Sequence, residues 1–209
     1  WICHAQGFLK PRLAHQPEAV DLEALKANCS EQIPVDSYYQ KLRERGLDYG
    51  PDFQAIQQLW AGPNRAIAEI TLSQDLIHSE TDNSPYTLHP ILLDASFQCL
   101  AAAIGETTDA QIYLPAGVEQ ISVYSTTPAT LWAIGSIDSD NSTPKQLIGN
   151  VELVDAAGKP IASVQGLILS RTNRDVLLRL LKPSLPPDLY QLQWQKSPYQ
   201  SPGPAPILQ

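Results

Sequence analysis

The residues best suited to do chemistry in this sequence are polar side chains set inside an apolar run. Asp94, Ser96 and Gln98 stand among the Ile, Leu, Phe, Cys and Ala residues of positions 90–104. Asp94 and Gln98 are four residues apart, so on a helix they share a face and can touch. A carboxylic acid sheltered from water can stay protonated near neutral pH and donate a proton. The pair therefore predicts a general acid whose carboxyl group is oriented by an amide.

A purely structural role for Asp94 is the alternative, in which its carboxylate faces a loop and caps a backbone amide. Ser96 has no nearby base in the sequence, and we interpret it as a small residue for helix packing. Motifs for other chemistries are absent from the sequence: there is no GxSxG elbow, phosphate-binding loop, dinucleotide fingerprint or metal-ligand pair of histidines.

The element that must position Asp94 is a helix predicted over Pro90–Ile104. Pro90 suits the first helical position, and Gly105 suits the stop. Because this segment is apolar on nearly every face, the helix should be buried. Four strands are predicted after it, at residues 117–124, 130–137, 146–154 and 160–169, with a tight hairpin turn at 155–158 between the last two. This order predicts an α+β fold in which an antiparallel sheet wraps around one long helix.

The residues before this helix contain shorter elements. Asp21 is predicted to cap a short helix, with Val20 and Leu25 in contact across its start. A second helix is predicted from residue 37 to 45, ended by Gly46. A hairpin is predicted from strands at 54–60 and 65–72, with its turn at 61–64. Residues 1–9 alternate like a strand that begins without any lead-in, which suggests a piece of a longer chain.

Composition limits the classes of partner and the compartment. The chain has 209 residues, 43% of them hydrophobic, and a net charge of −8 with only 14 Lys and Arg. Nucleic acids and anionic membranes are therefore poor partners, and no apolar run is long enough to cross a membrane. The cysteines Cys3, Cys29 and Cys99 are odd in number, widely spaced and without a CxxC pair. This pattern favours a reducing compartment and a cytoplasmic location.

Three motifs, in the same order and at similar spacing, resemble the dehydratase domains of modular polyketide synthases. Residues 88–98, Leu-His-Pro-Ile-Leu-Leu-Asp-Ala-Ser-Phe-Gln, resemble the HPxLLDAxxQ segment of that family. Residues 46–54, Gly-Leu-Asp-Tyr-Gly-Pro-Asp-Phe-Gln, resemble its YGPxF element, and residues 113–121 resemble its LPxxxxxI element. Each motif alone is modest evidence, whereas three in register are strong.

The resemblance implies a double hotdog, two hotdog units fused in one chain, of which this sequence holds mainly the second. Residues 1–16 would be the last strand of the N-terminal hotdog and a linker. Residues 17–172 would be the C-terminal hotdog. Residues 173–209 would be a linker and the start of the next synthase region, with a strand at 189–194.

The resemblance also implies a reaction, the removal of water from a β-hydroxyacyl thioester held on the phosphopantetheine of an acyl carrier protein. Asp94 would protonate the departing hydroxyl and Gln98 would orient Asp94. No metal, nucleotide or other cofactor is implied. The implied partners are the acyl carrier protein, the neighbouring synthase domains and a second copy of a homodimeric megasynthase.

Further site residues follow from the same resemblance. Residues of the YGPxF element would line the site near the thioester, those of the LPxxxxxI element would shape the acyl tunnel, and Phe53 would pack in the core. The lining residues are Tyr49, Gly50 and Pro51, and the tunnel residues are Leu114 and Pro115.

The sequence departs from the family in its histidines. The family's catalytic base is a histidine in HxxxGxxxxP, and no histidine here has glycine four positions later. Four positions after His4, His15, His78 and His89, the sequence has Phe8, Ala19, Asp82 and Leu93. We expect the base to lie upstream of Trp1 and the fragment alone to be inactive, and we interpret His89 as a residue of the helix start. The alternatives are a degenerate, non-catalytic scaffold and a double-bond isomerase.

Overall fold

The computed structural model describes residues 3, 5–11, 17–73, 76, 86–105, 112–173 and 176. These residues form three helices, eight strands and a 3-10 turn at Pro51–Phe53. The helices are α1 (Leu22–Ala27), α2 (Val35–Arg45) and α3 (Pro90–Ala102). The strands are β1 (Glu31–Gln32), β2 (Ile56–Gly62), β3 (Arg65–Thr71), β4 (Ile112–Gly117), β5 (Gln120–Val123), β6 (Thr130–Thr143), β7 (Gln146–Val154) and β8 (Pro160–Thr172).

The strands form one antiparallel sheet in the order β1-β2-β3-β6-β7-β8-β4, and β5 also pairs with β8. Hairpins connect β2 to β3 and β7 to β8, at the two turns that the sequence predicts. Asn64 in the first turn has a φ of 56° and Gly158 in the second has a φ of 76°. Both residue types tolerate the left-handed conformation that tight turns require. The antiparallel architecture that we predicted is therefore confirmed.

The long helix α3 lies buried against one face of this sheet, on β3, β6 and β7. Its residues Leu92, Ala95 and Leu100 have no exposed surface. Two glycines of the sheet let the helix approach closely. A Cβ atom at Gly135 would lie 2.8 Å from the Cα atom of Leu100, and one at Gly149 would lie 2.7 Å from its Cδ2 atom. The prediction of a sheet wrapped around a buried helix is confirmed.

The start of α3 is held by the residue before it. His89 is 5% exposed, and its Nδ1 atom accepts a hydrogen bond from the Ile91 N–H at 3.2 Å. Pro90 occupies the first helical position, where its missing N–H costs nothing. The interpretation of His89 as a residue of the helix start is confirmed. The helix ends at Ala102, two residues before the predicted end, and Gly105 follows with a φ of 76°.

The opposite face of the sheet is covered in part by α1. Asp21 caps this helix, since its Oδ1 atom accepts a hydrogen bond from the Ala24 N–H at 3.0 Å. Leu22 packs with Trp132 of β6 in a second, smaller apolar cluster. The Nζ atom of Lys26 lies 3.8 Å from the centroid of the Trp132 ring, within the range of a cation–π contact. The capped helix at Asp21 is confirmed.

Several expected elements differ in the structure. The strand expected at residues 117–124 corresponds to the shorter β5, and strands β1 and β4 are additional to those expected. The described residues of the segment 1–9, which are 3 and 5–9, belong to no strand of the described sheet, and their expected place in the N-terminal hotdog stays a prediction. In that segment Phe8 is 87% exposed. The strand expected at 189–194 lies outside the described residues.

Candidate functional site

The centre of the site is a hydrogen bond between two side chains one helical turn apart on α3. Gln98 donates from its Nε2 atom to the Oδ2 atom of Asp94 at 2.8 Å. Gln98 is 3% exposed, whereas Asp94 is partly exposed. The expectation that the two side chains touch is confirmed. The alternative role for Asp94, as a cap on a backbone amide, is not found among the described residues.

The side chain of Gln98 has a partner on both ends of its amide. Besides Asp94, its Nε2 atom donates to the carbonyl oxygen of Phe53 at 3.0 Å. Its Oε1 atom accepts a hydrogen bond from the Tyr39 hydroxyl, also at 3.0 Å. The main-chain carbonyl of Gln98 accepts a further bond from the Tyr38 hydroxyl at 2.6 Å. The three side-chain bonds, to Asp94, Phe53 and Tyr39, leave the amide of Gln98 one orientation in which to meet Asp94.

Asp94 has one carboxyl oxygen engaged and one open. Its Oδ2 atom holds the bond from Gln98, and within the described part of the chain its Oδ1 atom has no hydrogen-bond partner. The residue as a whole is partly exposed. The geometry gives a carboxyl group with one oxygen held by Gln98 and the other without a hydrogen bond from any described residue.

The pKa values of Tyr39 and Tyr49 are raised in part by the charge of Asp94. The pKa of Tyr49 is raised to about 12, mainly by burial and also by the negative charge of Asp94. Burial likewise raises the pKa of Tyr39 to about 12. A hydrogen bond from the Ile56 N–H opposes that shift, while Tyr49 and Asp94 add to it. Both phenols therefore remain protonated well above neutral pH.

These two tyrosines predict a loss of stability in alkali. Phenols of the unfolded chain ionise near pH 10, whereas Tyr39 and Tyr49 have pKa values of about 12 in the folded protein. Between about pH 10 and 12 the unfolded state releases protons first, so the free energy of unfolding should fall as the pH rises through this window. Urea unfolding at a series of pH values measures this fall in the free energy of unfolding. Replacing both tyrosines by Phe should reduce the fall, and an unchanged fall would contradict the assignment.

The YGPxF element reaches the site through its two ends. The ring of Tyr49 lies 6.4 Å from that of Tyr39, centroid to centroid. Gly50 and Pro51 are exposed, and Pro51 begins the 3-10 turn. The expectation that Phe53 packs in the core is wrong, because its side chain is 43% exposed. The turn directs the carbonyl of Phe53 to Gln98 and leaves its ring at the surface.

Leu114 and Pro115 lie on β4, opposite Ser170 and Leu169 of β8. Leu114 is partly buried and Pro115 is exposed. In the described residues no hydrogen bond joins either of them to Asp94 or Gln98. Their role in an acyl tunnel stays a prediction.

One hollow, of about 760 Å³, runs along β6, β7 and β8, with Asp138 and Ser163 among its lining residues, and Asp94 does not line it. A second hollow has Tyr39 and Ile56 among its lining residues. Among the residues that the structure describes, no group of three or more His, Cys, Asp and Glu residues could hold a metal ion. No described helix is long and apolar enough to cross a membrane.

The sequence analysis missed Tyr39 as part of the site. The only signal was a pair of adjacent aromatic residues, Tyr38 and Tyr39, in an otherwise polar helix. Tyr39 and Gln98 are 59 residues apart in the chain. Local spacing could not bring them together, because their contact depends on how α2 packs against α3.

Comparison with known proteins agrees with the motifs. The family model described as "Polyketide synthase dehydratase N-terminal domain" matches residues 17–179. The chain is 28% identical to polyketide synthase PksN of Bacillus subtilis over 165 residues, covering 78% of this chain and 3% of PksN. It is 29% identical to mycoketide-CoA synthase of Mycobacterium tuberculosis over 210 residues, covering 99% of this chain and 5% of that protein.

A solved structure shows the same fold. The dehydratase domain from the CurK module of curacin polyketide synthase is 40% identical, with a TM-score of 0.67. The match covers 77% of this chain and 55% of that one. Two further CurK dehydratase structures are described as inactive mutants, one with an aspartate changed to asparagine and one with a histidine changed to phenylalanine.

The chain thus spans about half the length of the CurK dehydratase structure and a few per cent of the curated synthases. Its antiparallel sheet around one buried helix is a hotdog fold, as in these dehydratase domains. The family model covers more than half of the sequence, and the fold, the motifs and the relatives agree with it. The chain belongs to the polyketide synthase dehydratase family.

Proposed function

We propose that this chain is the C-terminal hotdog of a dehydratase domain that removes water from a β-hydroxyacyl thioester. The substrate would be carried on the phosphopantetheine of an acyl carrier protein and leave as an α,β-enoyl thioester. Neighbouring synthase domains, and a second copy of the synthase in a homodimer, would be the other partners. The reaction requires no cofactor beyond the carrier's own arm.

The single observation that carries the proposal is the hydrogen bond between Gln98 and Asp94 at 2.8 Å, which engages Oδ2 of the carboxyl group. A general acid needs an oxygen that can approach within about 3 Å of the group that it protonates. Asp94 is a partly exposed residue, and no described residue forms a hydrogen bond with its Oδ1 atom. Its fixed Oδ2 atom keeps the group from rotating away from its target.

In the proposed mechanism, a histidine base from the first hotdog removes the α-proton of the substrate. The electron pair of that C–H bond forms the new C=C bond, and the β-carbon–oxygen bond breaks. Asp94 gives its proton to the departing hydroxyl, which leaves as water. The Gln98 N–H then stabilises the carboxylate that remains, and the proton taken by the histidine restores Asp94 in a later step.

The order of motifs supports the C-terminal position. Within the family resemblance the histidine motif precedes the aspartate motif, and this sequence contains the second without the first. The family model's description names an N-terminal domain, whereas the acid-bearing motif at Asp94 favours the second hotdog. The CurK dehydratase mutants, inactive after a change at an aspartate or at a histidine, support a site that uses both residue types.

The proposal is tested with a complete domain in which this chain follows a histidine-bearing first hotdog. Incubated with a β-hydroxyacyl thioester on a carrier protein, it should yield the enoyl thioester, detected by mass spectrometry as the loss of one water. This chain alone should yield none. A shifted double bond without loss of water, or no reaction in the complete domain, would contradict the proposal.

Removing the amide beside Asp94 should slow the same reaction. Gln98→Ala deletes the bond that fixes Oδ2 and lets the carboxyl group rotate, and small misplacements of a catalytic group can cost up to about 100-fold. We therefore expect kcat of the complete domain to fall by about 10- to 100-fold. Gln57→Ala, at an exposed glutamine of β2, is the matched control and should keep the original kcat. Equal rates for the two variants would remove Gln98 from the mechanism.

A further inference from the structure

We propose that Tyr39 is a positioning residue that acts through Gln98 to keep the acidic proton of Asp94 on its Oδ1 atom. This inference rests on the proposed function and adds a third residue to it. The evidence is a directed chain of hydrogen bonds that begins at the backbone of β2 and ends at the carboxyl group on α3.

The first step fixes the direction of the Tyr39 hydroxyl. Its oxygen accepts a hydrogen bond from the backbone N–H of Ile56 at 3.2 Å. A phenol has a single proton to donate, and the Oε1 atom of Gln98 lies 3.0 Å away to receive it. Because burial raises the pKa of Tyr39 to about 12, that proton is present at neutral pH.

The second step fixes the amide of Gln98. With Oε1 facing Tyr39, the two hydrogens of Nε2 point at the Phe53 carbonyl at 3.0 Å and at Asp94 at 2.8 Å. The flipped amide would set its oxygen against two other acceptors. In a side chain that is 3% exposed, such unpaired acceptors cost about 1–3 kcal/mol each. Only the first orientation satisfies the network.

The third step concerns the proton of Asp94. Its Oδ2 atom already accepts a hydrogen from Gln98, so a proton on that oxygen would face the amide hydrogen. The proton is therefore favoured on Oδ1, which has no hydrogen-bond partner in the described part of the chain. The chain of bonds from Ile56 thus keeps the proton on the oxygen that the protein does not engage.

The test compares two neighbouring tyrosines of α2 in the complete domain. Tyr39→Phe removes the hydroxyl group that belongs to the chain of hydrogen bonds. Tyr38→Phe removes the hydroxyl group of an equally buried tyrosine, which donates to the main-chain carbonyl of Gln98. We expect Tyr39→Phe to lower kcat by about 10-fold and to leave KM within about twofold, because Tyr39 holds the acid rather than the substrate. Tyr38→Phe should keep kcat within about threefold.

A double-mutant cycle shows whether Tyr39 acts through Gln98. In the Gln98→Ala background, Tyr39→Phe should change kcat by less than about twofold, since the residue that transmits its effect is gone. A merely structural contribution would instead multiply the two losses. Multiplied losses, or a Tyr39→Phe variant with the original kcat, would overturn the inference.

A structural measurement covers the case in which Tyr39→Phe does not fold. A crystal structure of the unsubstituted complete domain should show the Tyr39 hydroxyl within about 3.2 Å of Oε1 of Gln98. A separation beyond about 4 Å would overturn the inference. Asp94→Asn, which removes the acid itself, tests the proposed function independently. Its loss of activity would leave that function in place even if Tyr39 proved silent.

Discussion

Asp94→Asn is expected to lower the rate of enoyl formation by at least about 1000-fold in the complete domain. Asn has no acidic proton to give, and general acid catalysis contributes typically 100- to 10,000-fold. The substitution keeps the shape of the side chain, so its carbonyl oxygen can still accept the bond from Gln98 that the Oδ2 atom of Asp94 accepts now. The fold should therefore survive while the chemistry is lost.

Product formation under single-turnover conditions measures this effect, and thermal unfolding checks that the variant is folded. The matched control is Asp36→Asn, which makes the same change at an exposed carboxylate in the first turn of α2. It should retain the original rate. If Asp94→Asn kept the rate within about tenfold of the unsubstituted domain, Asp94 would not be the proton donor.

Gly135→Ala is expected to cause the largest loss of stability among conservative changes near the site. A Cβ atom there would lie 2.8 Å from the Cα atom of Leu100 and 3.2 Å from its backbone nitrogen. These are backbone atoms, so relief requires α3 to move away from the sheet. Overpacking of this kind costs about 1–3 kcal/mol or more. At the upper end of that range, the melting temperature should fall by roughly 5–10 °C.

Two other glycine substitutions calibrate this prediction. At Gly149 the added Cβ atom would meet only the end of the Leu100 side chain and the Ser136 carbonyl oxygen, the closest at 2.7 Å. Since a side chain can rotate away more easily than a helix can shift, Gly149→Ala should cost less than Gly135→Ala. At Gly117 the nearest atom is 3.6 Å away, and Gly117→Ala should be nearly neutral. Equal melting temperatures for all three variants would contradict the close packing of α3 on β6.

The buried helix and its acid could be predicted because their signals are local. A run of apolar residues between Pro90 and Gly105 defines α3 to within two residues, and the four-residue spacing places Gln98 beside Asp94. The hairpin turn that ends at Gly158 can be predicted for the same reason, since its residue types favour a particular backbone conformation. Local conformational preferences act over a few residues, so a short stretch of sequence is enough to predict them.

The rest of the site depends on contacts between residues that are far apart in the sequence. Tyr39 meets Gln98 across 59 residues, and the turn at Phe53 presents a carbonyl rather than a ring to the helix. Strand β4 is not predicted from the sequence, and it contains Pro115, which it tolerates because it lies at the edge of the sheet. These features follow from packing between elements, which the pattern of residue types does not specify.

The most direct test of the account is a crystal structure of the complete domain with a β-hydroxyacyl pantetheine amide, a mimic whose α-proton is only weakly acidic. The account predicts the β-hydroxyl oxygen about 2.6–3.2 Å from Oδ1 of Asp94, with Oδ2 still bound to Gln98. A β-hydroxyl more than about 4 Å from Asp94, with another side chain at hydrogen-bond distance from it, would contradict the account.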